Sequence, residues 1–137
     1  MKLRRNLYLT LFIISISVTF LFGCSGASPE YRTYQNLLRN QMQDMINVLN
    51  AGHYNEFMST YVDPTYLTKE GGVDKALLKF DNKEQQQLYI DLKNAKNVSP
   101  LYDEKTKEMT YIGENLVNPI TFRFNNGKWY MEGSWFK

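Results

Sequence analysis

The stretch Ile120-Thr121-Phe122-Arg123-Phe124-Asn125-Asn126-Gly127-Lys128-Trp129-Tyr130-Met131-Glu132-Gly133-Ser134-Trp135-Phe136 decides the fold. Two segments of alternating character flank Asn126-Gly127, a pair that suits the positive φ angles of a two-residue hairpin turn. The turn fixes a register that can be checked. Asn125 opposes Lys128, Phe124 faces Trp129, Phe122 faces Met131 and Ile120 faces Gly133. The last three pairs fall on one apolar face. Thr121, Arg123, Tyr130 and Glu132 fall on the other. A slip of one residue would scramble this sorting, so turn chemistry and apolar pattern give the same answer.

Working outward, the period of two extends back to about Lys96. Residues 97–102 and 108–112 alternate around the polar segment 103–107, giving about four antiparallel strands in all. Before Lys96 the period is helical. Tyr31, Tyr34, Leu37, Leu38, Met42, Met45, Ile46 and Leu49 form a stripe on one long helix, with Gly52 placed to end it. Tyr54, Phe57, Met58 and Tyr61 mark a second helix, stopped by Asp63-Pro64. Val73, Ala76, Leu77 and Phe80 mark a third after Gly71-Gly72. Asp81 and Glu84 have capping-box spacing and open a fourth helix carrying Leu88, Leu92 and Ala95. Helices first and an antiparallel meander last indicate an α+β fold. The long helix carries the stripe that matches the apolar sheet face, so it is expected to lie across the sheet.

The first thirty residues read differently. Lys2, Arg4 and Arg5 precede an apolar run, residues 7–22, which is shorter than a spanning helix requires. The run ends in small residues rather than in a basic patch, the pattern of a secretory signal. Leu21-Phe22-Gly23-Cys24 follows and resembles a bacterial lipobox. That resemblance implies a thioether-linked diacylglycerol on Cys24 and cleavage just before it. It also explains why a chain with a single cysteine places it here, since sulfur is the strongest side-chain nucleophile. The organisation expected is a signal peptide at 1–23, a lipidated cysteine and tether at 24–29, and one domain at 30–137. Acyl chains contribute about 0.8 kcal/mol per buried methylene, so the anchor holds the protein to a membrane. Ser25 after the cysteine implies outer-membrane sorting in a host with two membranes.

Charge and composition exclude several classes. The formal charge is +2, but the three basic residues of the signal supply it, and the remainder stands at about −1. No basic excess is left to neutralise a phosphate backbone, so nucleic acid is not an expected partner. One cysteine and one histidine rule out an internal disulfide and a histidine or cysteine cluster for metal. No cofactor motif appears.

The order of elements, the segment Asn50-Ala51-Gly52-His53-Tyr54 with Phe57 and Tyr61-Val62-Asp63-Pro64, and the closing hairpin Phe122 to Tyr130 together resemble the nuclear transport factor 2-like superfamily of cystatin-like folds. The resemblance covers most of residues 30–137. It implies a curved sheet wrapped round helices into a cone, often with a pocket between them. His53 stands where many members carry an acid. The fold does not imply one function.

Tyr34, Tyr54, Tyr61, Trp129 and Trp135 are the candidates for lining such a pocket, with Gly133 withholding a side chain on the inward face. Stripes of this kind are also what a packed core looks like. Catalytic candidates are few. Glu132 falls on the face opposite Trp129, Glu108 opens a strand, Asp63 serves a turn, and His53 follows a helix-ending glycine. No catalytic residue is assigned. The expected function is therefore a lipid-anchored envelope protein in a non-catalytic accessory role, contacting another envelope protein. The alternative is a small apolar ligand held in an aromatic-lined cone, and the third reading is an enzyme of the isomerase or cyclase kind.

Overall fold

The C-terminal hairpin forms in the expected register. In a computed structural model of the protein, which describes residues 28–136, β3 (Ile120–Asn125) and β4 (Lys128–Met131) are antiparallel. Phe122 pairs with Met131, Phe124 with Trp129 and Asn125 with Lys128. Asn126 and Gly127 sit at φ 49° and 80°, the left-handed conformations that this turn demands. Two shorter strands complete an open sheet in the order β1-β2-β3-β4: β1 (Leu101–Asp103) and β2 (Glu108–Tyr111).

A boundary between two units of the chain falls between Arg32 and Thr33. Within the first, the Ser28 hydroxyl accepts from the Tyr31 amide at 3.1 Å and starts a helix. Five helices precede the sheet among the described residues: α1 (Pro29–Asn50), α2 (Tyr54–Tyr61), α3 (Pro64–Glu70), α4 (Val73–Lys79) and α5 (Asn82–Ala95). The architecture is α+β, as the change of period predicts. On α1 the buried positions are Leu38, Met42, Met45, Ile46 and Leu49, the inner part of the expected stripe, while Leu37 is exposed. Asp81 caps α5 as its spacing predicts, its carboxylate accepting from the Glu84 amide at 2.9 Å.

Two local readings are corrected. Asp63-Pro64 does end α2, but the same pair opens α3, an element the sequence reading leaves out. The Asp63 side chain accepts from the Thr65 amide at 2.7 Å, and Pro64 occupies the first helical turn, where its missing N–H costs nothing. The second correction concerns Gly133. The strand ends at Met131 and Gly133–Trp135 turns into a short 3₁₀ helix, so Ile120 and Gly133 are not a ladder pair.

The inward sheet face is sealed. Met109, Tyr111, Ile120, Phe122, Trp129 and Met131 are all fully buried. Large side chains of this kind each contribute on the order of 1.5–3 kcal/mol when removed from water. Strand β4 lies at the sheet's edge, and its free backbone groups are answered by helical segments. The Gln41 side-chain amide of α1 accepts from the Trp129 N–H at 3.1 Å and donates to the Trp129 carbonyl. Next along the strand, the Asp63 amide donates to the Met131 carbonyl at 2.9 Å, within a parallel bridge between Val62 and Met131. An edge occupied in this way offers no template for another strand.

Candidate functional site

The six residues expected to line a pocket separate into two groups. Tyr34 on α1 meets the turn end of the hairpin, its ring centroid 4.6 Å from Phe124, 5.8 Å from Trp129 and 6.1 Å from Tyr102. Trp129 in this group is fully buried, and its indole N–H has no acceptor among the described residues. Tyr54, Tyr61 and Trp135 belong to a second group built round Phe80. Phe80 lies 6.1 Å from Tyr54, 6.2 Å from Phe57, 6.4 Å from Trp135 and 5.5 Å from Phe136. Tyr61 joins it through Phe57 at 5.9 Å. Edge-on and tilted contacts at these distances are how aromatic side chains pack against each other.

Gly133 decides what its missing side chain is for. A Cβ placed there would stand 2.1 Å from Cδ2 and 2.4 Å from Cγ of Tyr66. The space is filled by the Tyr66 ring, which stacks on Phe136 at 5.4 Å. Glycine here permits α3 to approach the chain's C-terminal turn. Burial beside Glu70 and Glu84 raises the Tyr66 hydroxyl pKa, with desolvation the larger cause.

Among the described residues one carboxylate is buried. Asp91 on α5 is fully buried. Its Oδ1 accepts from Gln87 Nε2 at 2.8 Å and from the Val117 amide at 3.2 Å, and its Oδ2 accepts from Trp135 Nε1 at 3.3 Å. Asp91 thus joins α5, the segment before β3 and the C-terminal turn. It lies beside a cleft of about 350 Å³ whose lining includes Gln87, Val117 and Trp135. With its oxygens committed to three donors it orients these segments; it holds no position facing the cleft as a general base. The signal was present in the sequence: Asp91 sits three residues after Leu88 and four before Ala95, on the stripe that faces the core.

The outward sheet face carries a charged cluster. Arg123 donates to Glu108 Oε1 from Nε at 2.9 Å and from Nη2 at 2.6 Å, and its Nη2 lies 2.5 Å from Glu132 Oε1. Glu132 therefore pairs within the sheet surface. Its carboxyl pKa is raised above the ordinary value, chiefly by burial, and the opposing pull of Arg123 does not cancel that. Beside this cluster the Thr110 and Thr121 hydroxyls meet at 3.1 Å. Leu101 and Ile112 are well exposed. His53 is exposed too. It lies between two helices: its backbone N–H donates to the Val48 carbonyl in the last turn of α1 at 3.1 Å, and it holds the N-cap position of α2 without a side-chain cap bond, Nδ1 standing 3.4 Å from Glu56 Oε2. Among the described residues no group of three His, Cys, Asp or Glu side chains is arranged to hold a metal ion.

Cys24 and the residues before it lie outside the described residues. Among those described, no helix is long and apolar enough to cross a membrane. Compared with known proteins, the chain matches no family model, no curated protein and no solved structure.

Proposed function

We propose that this chain is a lipid-anchored envelope protein whose folded domain works by contact, with no reaction of its own. The anchor rests on Leu21-Phe22-Gly23-Cys24 at the end of an apolar run preceded by Lys2, Arg4 and Arg5. Exported and held at a membrane surface by Cys24, the domain would meet other envelope components, on the outer membrane in a host that has one.

The observation that carries the contact reading is the approach of Tyr66 to Gly133. The alternative reading, an apolar ligand among the aromatics, needs the room that this ring fills. The aromatic side chains named for that pocket pack in two groups instead, Tyr34 against Trp129 and the others against Phe57 and Phe80, which is how a core is built. An isomerase-like reading needs a titratable group aimed into an enclosed, dry site. Asp91, the buried carboxylate of the domain, has its oxygens taken by Gln87, Val117 and Trp135.

Metabolic labelling with an alkyne fatty acid tests the anchor. Wild-type protein is expected to carry label and to fractionate with membranes, and Cys24→Ser to lose both. Equal labelling of the two would sink the proposal.

A further inference from the structure

One groove differs from the other clefts in its chemistry. It runs between α1 and α5. Gln43, Asn47 and Asn50 project from α1 at i, i+4 and i+7, and Tyr89 and Lys93 on α5 with Lys96 at its C-cap repeat that spacing. These rows bound a cleft of about 390 Å³, within the range of roughly 300–1,000 Å³ typical of ligand sites. A second cleft of about 180 Å³ shares Asn50 and Tyr89 with the first and continues to Gln85, Gln86 and Tyr54. The two form one elongated groove.

Its lining is sorted by charge. The clefts at the other faces each carry acids: Asp81 and Glu84, Glu70 and Glu84, or Asp63. The chain has 14 acidic residues, yet none lines this groove. Lys79 faces Glu70 and Arg123 faces Glu108, while Lys107 and Lys128 stand over tyrosine rings. Lys93 and Lys96 make no ion pair among the described residues. Lys93 Nζ stands 5.1 Å from the centre of the Tyr89 ring, and Lys96 Nζ donates to Gln43 Oε1. Gln43 Nε2 in turn donates to Asn47 Oδ1 at 3.0 Å. This relay engages the Gln43 and Asn47 side-chain oxygens as acceptors, while the Asn47 amide nitrogen and further ammonium protons of the two lysines are donors on residues that line the groove. Asp91 of α5 points to the opposite side of its helix, into the core.

Amide side chains both donate and accept, which matches hydroxyl groups, and the two ammonium groups match a sparse negative charge. An elongated groove suits a chain rather than a compact molecule. Two lysines in a domain of net negative charge are too few for a polyphosphate backbone of nucleic-acid density. We infer that the α1–α5 groove binds an anionic, hydroxyl-rich polymer, a polysaccharide or polyol chain with carboxylate or phosphodiester groups at intervals. This rests on the contact reading above and names the partner's chemistry.

Affinity electrophoresis of the full chain through gels holding alginate, poly(glycerol phosphate), uncharged dextran or a single-stranded oligonucleotide tests it. These four side chains are exposed or half-exposed, so Lys93→Gln with Lys96→Gln, and Asn47→Ala with Asn50→Ala, are expected to fold as wild type by circular dichroism. Retardation by alginate or poly(glycerol phosphate), weakened about tenfold by each pair of substitutions, is the result expected; which polymer binds assigns carboxylate or phosphodiester. Retardation by neither anionic polymer, equal retardation by dextran, stronger retardation by the oligonucleotide, or indifference to both variants overturns the inference. None of these outcomes touches the Cys24 labelling result, so the anchor and the groove fail separately.

Discussion

Strands β3 and β4 are joined by residues a few positions apart and matched by apolar pattern. Asp91 joins α5 to Val117, 26 positions on, and to Trp135, 44 positions on, through a carboxylate. Both fasten helices to the sheet region, but by opposite physics. The hairpin buries Phe122, Trp129 and Met131, and water exclusion does the work without regard to direction. The Asp91 node buries a polar group, which is tolerable only because each donor is aimed at it. An apolar contact degrades gradually when its shape changes. A buried polar node fails when one partner is lost.

Substitutions can break this contrast. The largest effect is expected at Trp129→Ala, which empties a fully buried site in contact with Tyr34 and Phe124 and costs about 3–5 kcal/mol. Urea denaturation measures it, and a loss below about 1 kcal/mol would mean that this end of the sheet is not sealed. Asp91→Leu should follow at about 3 kcal/mol, since it strands the Trp135 indole N–H and the Val117 amide. Asp91→Asn keeps one acceptor oxygen and should cost less; equal losses from the two would show that shape, not hydrogen bonding, matters at this node.

The smallest effect lies on the outward face. Arg123→Gln removes ion pairs at a partly exposed surface and is expected to change stability by under about 1 kcal/mol. Its signature is in titration. The Glu132 carboxyl titrates above its ordinary 4.5 through burial, with Arg123 holding it back, so Arg123→Gln should raise it further. A carboxyl whose folded pKa exceeds the unfolded one favours folding at pH below the unfolded value and loses that contribution as pH rises through the folded value. Asp103 is the opposite case. The backbone N–H groups of Lys105 and Thr106 hold it below 3.8, so its contribution is present above the unfolded value and lost as pH falls through the folded one. Carboxyl carbon shifts followed by NMR should move the two in opposite directions from their ordinary values.

The same contrast explains what the sequence disclosed. Asn126-Gly127, the alternation on either side and the stripe from Leu38 to Leu49 are local signals, each backed by a second one nearby, and they place the hairpin and α1 correctly. Capping at Asp81 is equally local. What escaped depended on distance in the chain. Nothing near Gly133 says that Tyr66 will fill its space, because that contact requires α3, which a proline at its first turn disguised as a stop. Phe80 was legible as a core residue but not as the centre of an aromatic group. Asp91 was visible as an acid on an apolar stripe, yet its partners come from two remote segments. The α1–α5 groove has the same origin: each helix shows an ordinary polar face, and only their juxtaposition makes a cleft lined by lysines and amides without an acid.

Native mass spectrometry of the protein purified from the cells that make it bears on both the anchor and the sealed core. A lipid-anchored contact protein should appear as a chain beginning at Cys24, heavier than its sequence by a thioether-linked diacylglycerol, with or without a further acyl group, and carrying no apolar small molecule. An unmodified chain that still begins at Met1, or a stoichiometric apolar ligand bound to the folded domain, would contradict that reading.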